Sequence, residues 1–172
     1  MFGKSNIFLI GPMGSGKTAV GKQLAKLLRA QFLDSDAEIV RRTGADINFI
    51  FEKEGEAGFR LRERDALEEL TRHDNIVLAT GGGAIVTLAN RVALRERGTV
   101  VYLETTLDQQ VQRVRHGQAR PLLANADPAI RLAELMAIRQ PLYTEIADIV
   151  VSTSGRKVHS VAEEIVRKIK EA

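Results

Sequence analysis

The sequence contains no cysteine and no tryptophan among its 172 residues, and aromatic residues of any kind make up only 5%. Without cysteine there can be no disulfide scaffold, thiolate zinc site or cysteine nucleophile; the absence also fits a reducing compartment, so the cytoplasm is the expected location. Nucleic acid is an unpromising partner, because its usual footprint is a basic stripe interleaved with stacking rings, and here rings are few and the cations mostly alternate with Glu or Asp. Long hydrophobic runs are missing as well. The first apolar run, Ile7 to Ile10, is too short for a secretion signal and far too short to cross a bilayer, so no membrane partner is expected.

A chain of this length can bury roughly 70% of its unfolded surface, enough for one self-sufficient domain over 1–172 without a disulfide or metal staple. Excess charge of one sign is small: 25 Lys and Arg face 22 Asp and Glu, for a net +3. The cations are nevertheless uneven, with 17 Arg against 8 Lys. Arginine presents a planar fork that grips carboxylate and phosphate oxygens in pairs, so the bias points to anionic ligands.

Short β-branched runs alternate with longer helical patterns, without internal repeats or low-complexity linkers. Strands are expected at 6–10, 31–33, 76–79, 99–103 and 148–151. Val20, Leu24, Leu27 and Leu28 draw one apolar face on a helix over 17–29. Further helices are expected at 36–42, 46–54, 56–71, 87–97, 107–116, 128–139 and 160–170. Strands apolar nearly throughout and separated by helices imply a parallel sheet covered on both faces, a doubly wound α/β domain. Ligands of such sheets sit beyond the carboxyl ends of the strands.

Directly after the first strand, Gly11-Pro12-Met13-Gly14-Ser15-Gly16-Lys17-Thr18 fits the phosphate-loop pattern G-x-x-x-x-G-K-[ST] and runs into a helix. Glycines let successive backbone N–H groups turn toward phosphate oxygens, and the helix N-terminus adds partial positive charge. Lys17 is placed to reach the β- and γ-phosphates and Thr18 to ligate Mg²⁺, so a nucleoside triphosphate is the expected ligand. The acid that usually closes a second strand in such proteins is absent after Ile76 to Thr80. Val100 to Leu103 ends in Glu104 and Thr105, while Asp34 and Asp36 close the strand Gln31 to Leu33. Either they share a metal-and-substrate site, or Asp36 caps the next helix and Asp34 is a solvated turn residue.

Neither N-K-x-D nor D-x-x-G occurs, which removes the signalling GTPases. A small kinase remains, with an arginine-bearing lid. Residues 117–128 lack helical periodicity and carry Arg120, which reads either as a lid cation or as an ordinary surface arginine. Arg113 and Arg115 precede it. Rival readings are a kinase for gluconate or a nucleoside monophosphate, and a non-catalytic ATP-binding module.

Six strings in register, Gly11 to Thr18, Asp34-Ser35-Asp36, Gly58-Phe59-Arg60, Gly81-Gly82-Gly83, Arg120-Pro121-Leu122-Leu123 and Arg139-Gln140-Pro141-Leu142-Tyr143, resemble the shikimate kinase family over essentially the whole chain. The resemblance implies a three-layer phosphate-loop fold, with a five-stranded parallel sheet, a mobile lid at about 113–128 and a substrate-binding region at about 34–62. It implies transfer of the γ-phosphoryl of ATP to the 3-hydroxyl of shikimate. By the same resemblance, Asp36 orients or deprotonates the acceptor hydroxyl, Asp34 reaches Mg²⁺ through water, and Arg60 and Arg139 clamp the acceptor carboxylate. On residue chemistry alone Arg60 has a second reading, as the helical partner of Glu56 and Glu63, and Arg139 as a solvated helix end. Gly81, Gly82 and Gly83 match the backbone beside the substrate. Gly14, Ser15, Gly16, Lys17, Thr18 and Ala19 match the phosphate side of ATP, with Arg120 on a phosphate, Arg113 near adenine and Arg156 in the adenine-binding loop 152–157. Lys17, Asp36 and Arg120 are the implied catalytic residues, and a monomer is expected.

Overall fold

The computed structural model describes residues 5–115 and 127–172. Parallel strands β1 (Ile7–Ile10), β2 (Gln31–Asp34), β3 (Ile76–Ala79), β4 (Thr99–Glu104) and β5 (Ile149–Ser152) form one sheet in the order β2-β3-β1-β4-β5. Each end lies within one residue of the expected one. Parallel neighbours require crossovers, and helices supply them. Helix α1 (Lys17–Leu28) leads from β1 to β2, and α2 (Ser35–Thr43) with α3 (Ile47–Leu70) leads from β2 to β3. A 3₁₀ turn (Ala84–Val86) and α4 (Leu88–Arg97) follow β3; α5 (Leu107–Arg115) and α6 (Pro128–Ile146) follow β4; α7 (Val158–Glu171) comes last. Among the described residues no helix is long and apolar enough to cross a membrane.

Because side chains alternate along a strand, β1 feeds two cores. Ile7 and Leu9 pack with Leu24 of α1 and with Val161 and Ile165 of α7. Phe8 and Ile10 face the other layer, with Leu67 of α3, Leu94 of α4, and Tyr143 and Ile146 of α6. Truncating a wholly buried side chain such as Leu24 to Ala would cost about 2–5 kcal/mol. A third, smaller core, Ile39, Ile50, Phe59 and Ala66, belongs to the α2–α3 excursion alone. The chain bends inside α3 at Gly55 (φ 72°), the point where the pattern predicts two helices.

Helix α6 departs from expectation. It opens where predicted, with Asp127 accepting from the Ala129 N–H and Pro128 in the first turn. It does not stop at Arg139 but runs through Pro141 to Ile146. Proline in a helix interior costs about 3 kcal/mol, yet Leu132, Leu135, Arg139, Tyr143 and Ile146 form one continuous buried stripe, and burying Tyr143 and Ile146 offsets that loss. Arg139 is therefore mid-helix and only 5% exposed, not a solvated helix end.

Candidate active site

β1 is the central strand, so the loop that leaves it sits between the ends of β3 and β4. Gly14 (φ 81°) and Gly16 (φ 91°) adopt left-handed backbone, which an L side chain resists, and this lets the loop curl onto the start of α1. Ser15 is wholly buried behind the loop. Lys17 Nζ donates to the carbonyls of Gly11 and, at 3.0 Å, Pro12, so the ammonium lies across the loop's concave side. From α5, Arg113 Nη1 donates to Gly14 O at 2.5 Å and holds a guanidinium against the same loop.

At the end of β2, Asp34 does two things. Its Oδ1 accepts from the backbone N–H groups of Asp36 (2.9 Å) and Ala37 (3.2 Å), capping α2. Its Oδ2 accepts from Thr18 Oγ1 at 3.2 Å. The cap is thus Asp34, not Asp36, because the β-conformation needed for capping falls at the last strand residue. Capping fixes the Asp34 carboxylate beside Thr18. This hydroxyl and carboxylate are the hard oxygen donors that suit Mg²⁺. Among the described residues no group of three or more acidic or histidine side chains could hold a metal. A cation here would thus keep sites for water and phosphate oxygens, as Mg²⁺ prefers.

The acceptor half is built from side chains. Arg60 on α3 donates from Nη1 to Glu63 Oε1 at 2.9 Å and from Nη2 to Glu56 Oε2 at 3.2 Å, so its helical partners are both real. Its side chain is nonetheless only 13% exposed. On the opposite wall a Cβ added to Gly83 would collide with the Arg60 guanidinium and lie 2.9 Å from Arg139 Nη2. The two arginines therefore converge on one point, and Gly83 leaves them the room. Burial pushes the Arg139 pKa below its usual value; Tyr143 and the glutamates oppose this shift, and Arg60 adds to it. Tyr143, stacked on Tyr102 with ring centres 5.0 Å apart, donates its hydroxyl to Gly82 O at 2.5 Å and ties α6 to the glycine turn. Burial pushes the Tyr143 pKa up, keeping the donor protonated.

Asp36 Oδ1 and Glu63 Oε2 lie 3.0 and 3.1 Å from the point a Cβ on Gly81 would occupy, so two carboxylates meet over the first glycine. Both halves open into one cavity of about 490 Å³. On the donor side Gly14, Gly16, Lys17, Thr18, Ala19 and Arg113 reach its wall. On the acceptor side Asp34, Asp36, Arg60, Arg139 and the three glycines do so, with Ile47, Phe51 and Phe59 as an apolar flank. Arg156 is not on that wall. Its guanidinium pairs with Glu164 at 2.5 Å and donates to Ser152 O at 3.1 Å. Arg120 and residues 116–126 of the expected lid lie outside the described residues, while 113–115 belong to α5 and 128 opens α6.

Sequence reasoning gave Glu63 only the part of a helical partner of Arg60 and gave Tyr143 no role. Glu63 reads as one more acid on a charged helix, and only its distance of three residues from Arg60 marks it. The Tyr143 spacing from Arg139 would have served, had the helix been carried past Pro141.

The sequence profile of the family described as shikimate kinase matches residues 13–170. A shikimate kinase of Halorhodospira halophila is 55% identical, over 96% of this chain and 93% of its own. One from Alteromonas mediterranea is 54% identical over 96% and 97%. The solved structure of a shikimate kinase from Acinetobacter baumannii in complex with shikimate superposes with a TM-score of 0.95 at 50% identity, covering 98% of this chain and 94% of that one.

Proposed function

The chain belongs to the shikimate kinase family, and from that premise we propose that its cleft transfers the γ-phosphoryl of ATP to the 3-hydroxyl of shikimate, giving shikimate 3-phosphate and ADP. The observation that carries this reading is the sharing of one cavity by a phosphate loop and a convergent pair of arginines, with Asp36 also on its wall. A nucleotide-only module has no use for the second half. The two guanidinium forks suit a planar carboxylate, which shikimate has.

In this assignment the backbone N–H groups of the loop and the Lys17 ammonium hold the β- and γ-phosphates. Lys17 exchanges its two loop carbonyls for phosphate oxygens, a substitution that places the cation where charge builds in the transition state. Mg²⁺, when bound, neutralises charge on the phosphate oxygens; the Thr18 hydroxyl and the Asp34 carboxylate would hold it. Arg113, held against the phosphate loop, is assigned to the adenine side by its place in the family's pattern. Arg60 and Arg139 fix the acceptor by its carboxylate, and the apolar flank of Ile47, Phe51 and Phe59 covers the ring. Asp36 then holds the acceptor hydroxyl in line and accepts its hydrogen bond. Arg120 is assigned to the transferring phosphoryl group by its place in the family's strings. Donor and acceptor groups both come from one chain, which supports a monomer, and the cysteine-free sequence supports the cytoplasm.

A coupled ADP-release assay with shikimate, gluconate and AMP as acceptors tests the reading. Turnover with shikimate alone is expected. Turnover with gluconate or AMP in preference to shikimate would overturn the acceptor, and no turnover with any would overturn the kinase reading.

A further inference from the structure

Glu63 has no part in the mechanism above, yet it is wholly buried in the acceptor half. Its Oε1 is occupied by Arg60, while Oε2 has no hydrogen-bond partner among the described residues. A buried carboxylate oxygen without a donor is costly while it stays charged. The groups that face Glu63 come from three elements: Arg60, with Glu56 behind it, on α3; Asp36 on α2; and Arg139 on α6. Two cations thus already share the carboxylates of Glu63 and Asp36 before any ligand arrives, and Arg60 is paired as well with Glu56, which is half-exposed. Burial pushes the Glu63 carboxyl pKa up, Arg60 opposes this, and Asp36 adds to it. An acceptor carboxylate entering between Arg60 and Arg139 brings a further anion beside Glu63 and Asp36.

We propose that Glu63 takes up a proton on Oε2 when the acceptor carboxylate enters the Arg60–Arg139 clamp, so that the clamp hands its charge from its own glutamate to the ligand. The inference rests on the reading of Arg60 and Arg139 as a carboxylate clamp. An O–H bond forms on Oε2 and the proton comes from solvent. Neutral Glu63 keeps Oε1 on Arg60 and gains a donor directed toward Gly81 and Asp36. It is a positioning residue, acting through Arg60, and its action carries a pH signature.

The sign follows from the charges. Added negative charge raises the Glu63 pKa in the complex above its value in the free protein. Between those two values binding takes up a proton, so the dissociation constant for shikimate rises with pH, at most tenfold per pH unit, and is flat on either side of the window. The shikimate carboxylate itself, an ordinary carboxylic acid, stays ionised above about pH 6.

The experiment is a calorimetric titration of the whole chain with shikimate between pH 6 and 8, in buffers of small and large ionisation heat. The expected result is net proton uptake by the wild-type protein, affinity that weakens as pH rises, and neither effect in Glu63→Gln, whose amide mimics the protonated acid. Uptake that persists in Glu63→Gln, or binding by the wild-type protein without uptake, would overturn the role of Glu63 while leaving the clamp in place. Shikimate methyl ester provides a check that needs no variant: lacking the charge that the arginines grip, it should bind more weakly and without taking up a proton, and equal uptake with the ester would also overturn the inference. No binding of shikimate in any buffer would sink the clamp reading itself, a different result from binding without uptake.

Discussion

The two halves of the cleft are made of different material. The donor half is mainly the eight consecutive residues 11–18, whose working groups are largely backbone amides aimed by two glycines in left-handed conformation, with Arg113 added from α5. The acceptor half is made of side chains from α2, α3 and α6, and its charges are already engaged with one another through Arg60, Glu56 and Glu63. A backbone cradle binds any phosphate chain presented to it. A cluster of mutually paired side chains binds only a ligand whose charge can replace one of its own members.

Variants can break this contrast from either side. The largest effect is expected from Lys17→Ala, which should lower kcat by about a hundred- to a thousandfold or more, measured with both substrates saturating. Near-normal turnover would remove Lys17 from the mechanism. Arg139→Ala should raise the KM for shikimate by about 10- to 100-fold and leave the ATP Kd unchanged, because it removes charge-assisted bonds from one half only. Weaker ATP binding in that variant would show that the halves are not separable. A matched pair of glycine substitutions sharpens the comparison. Gly83→Ala should raise the shikimate KM about tenfold by pushing the arginines apart, whereas Gly16→Ala should raise the ATP KM about tenfold through backbone strain. Tyr143→Phe removes the bond to Gly82 O and should weaken shikimate binding about 2- to 10-fold, read as KM, with ATP unaffected. The smallest effect belongs to Arg156→Ala: its ion pair with Glu164 is partly exposed, and the KM for ATP should stay within about twofold.

Legibility follows the same divide. The phosphate loop could be read because backbone chemistry is written in contiguous sequence, and the strands because each centres on a short apolar run set off by helical pattern on either side. Gly55 marked the bend in α3 for the same local reason. Asp34 and Asp36 stayed open because two residues decide which carboxylate caps, and only the backbone conformation at the end of β2 settles it. Arg60 was legible as a helical ion-pair partner and as a ligand clamp; it is positioned to be both, which no spacing argument could separate. Helix α6 runs past its expected end at 139 because the buried stripe of Leu132, Leu135, Arg139, Tyr143 and Ile146 continues through Pro141. Glu63 was legible only as a helical partner of Arg60; its burial was not, since Gly81, Asp36 and Arg139, which surround it, are distant in the chain.

The small core shared by Ile39, Ile50, Phe59 and Ala66 has one more consequence. It makes the α2–α3 excursion a semi-independent insert, anchored to the sheet through β2 at one end and Leu67 and Leu70 at the other. Asp36, Arg60 and Glu63 all ride on that insert, while the phosphate loop lies upstream of it. Substrate preference can therefore drift by mutation or recombination within one short stretch of gene without disturbing the nucleotide machinery. Among the described residues, Arg139 is the one acceptor-side cation that such an exchange would have to retain or replace separately.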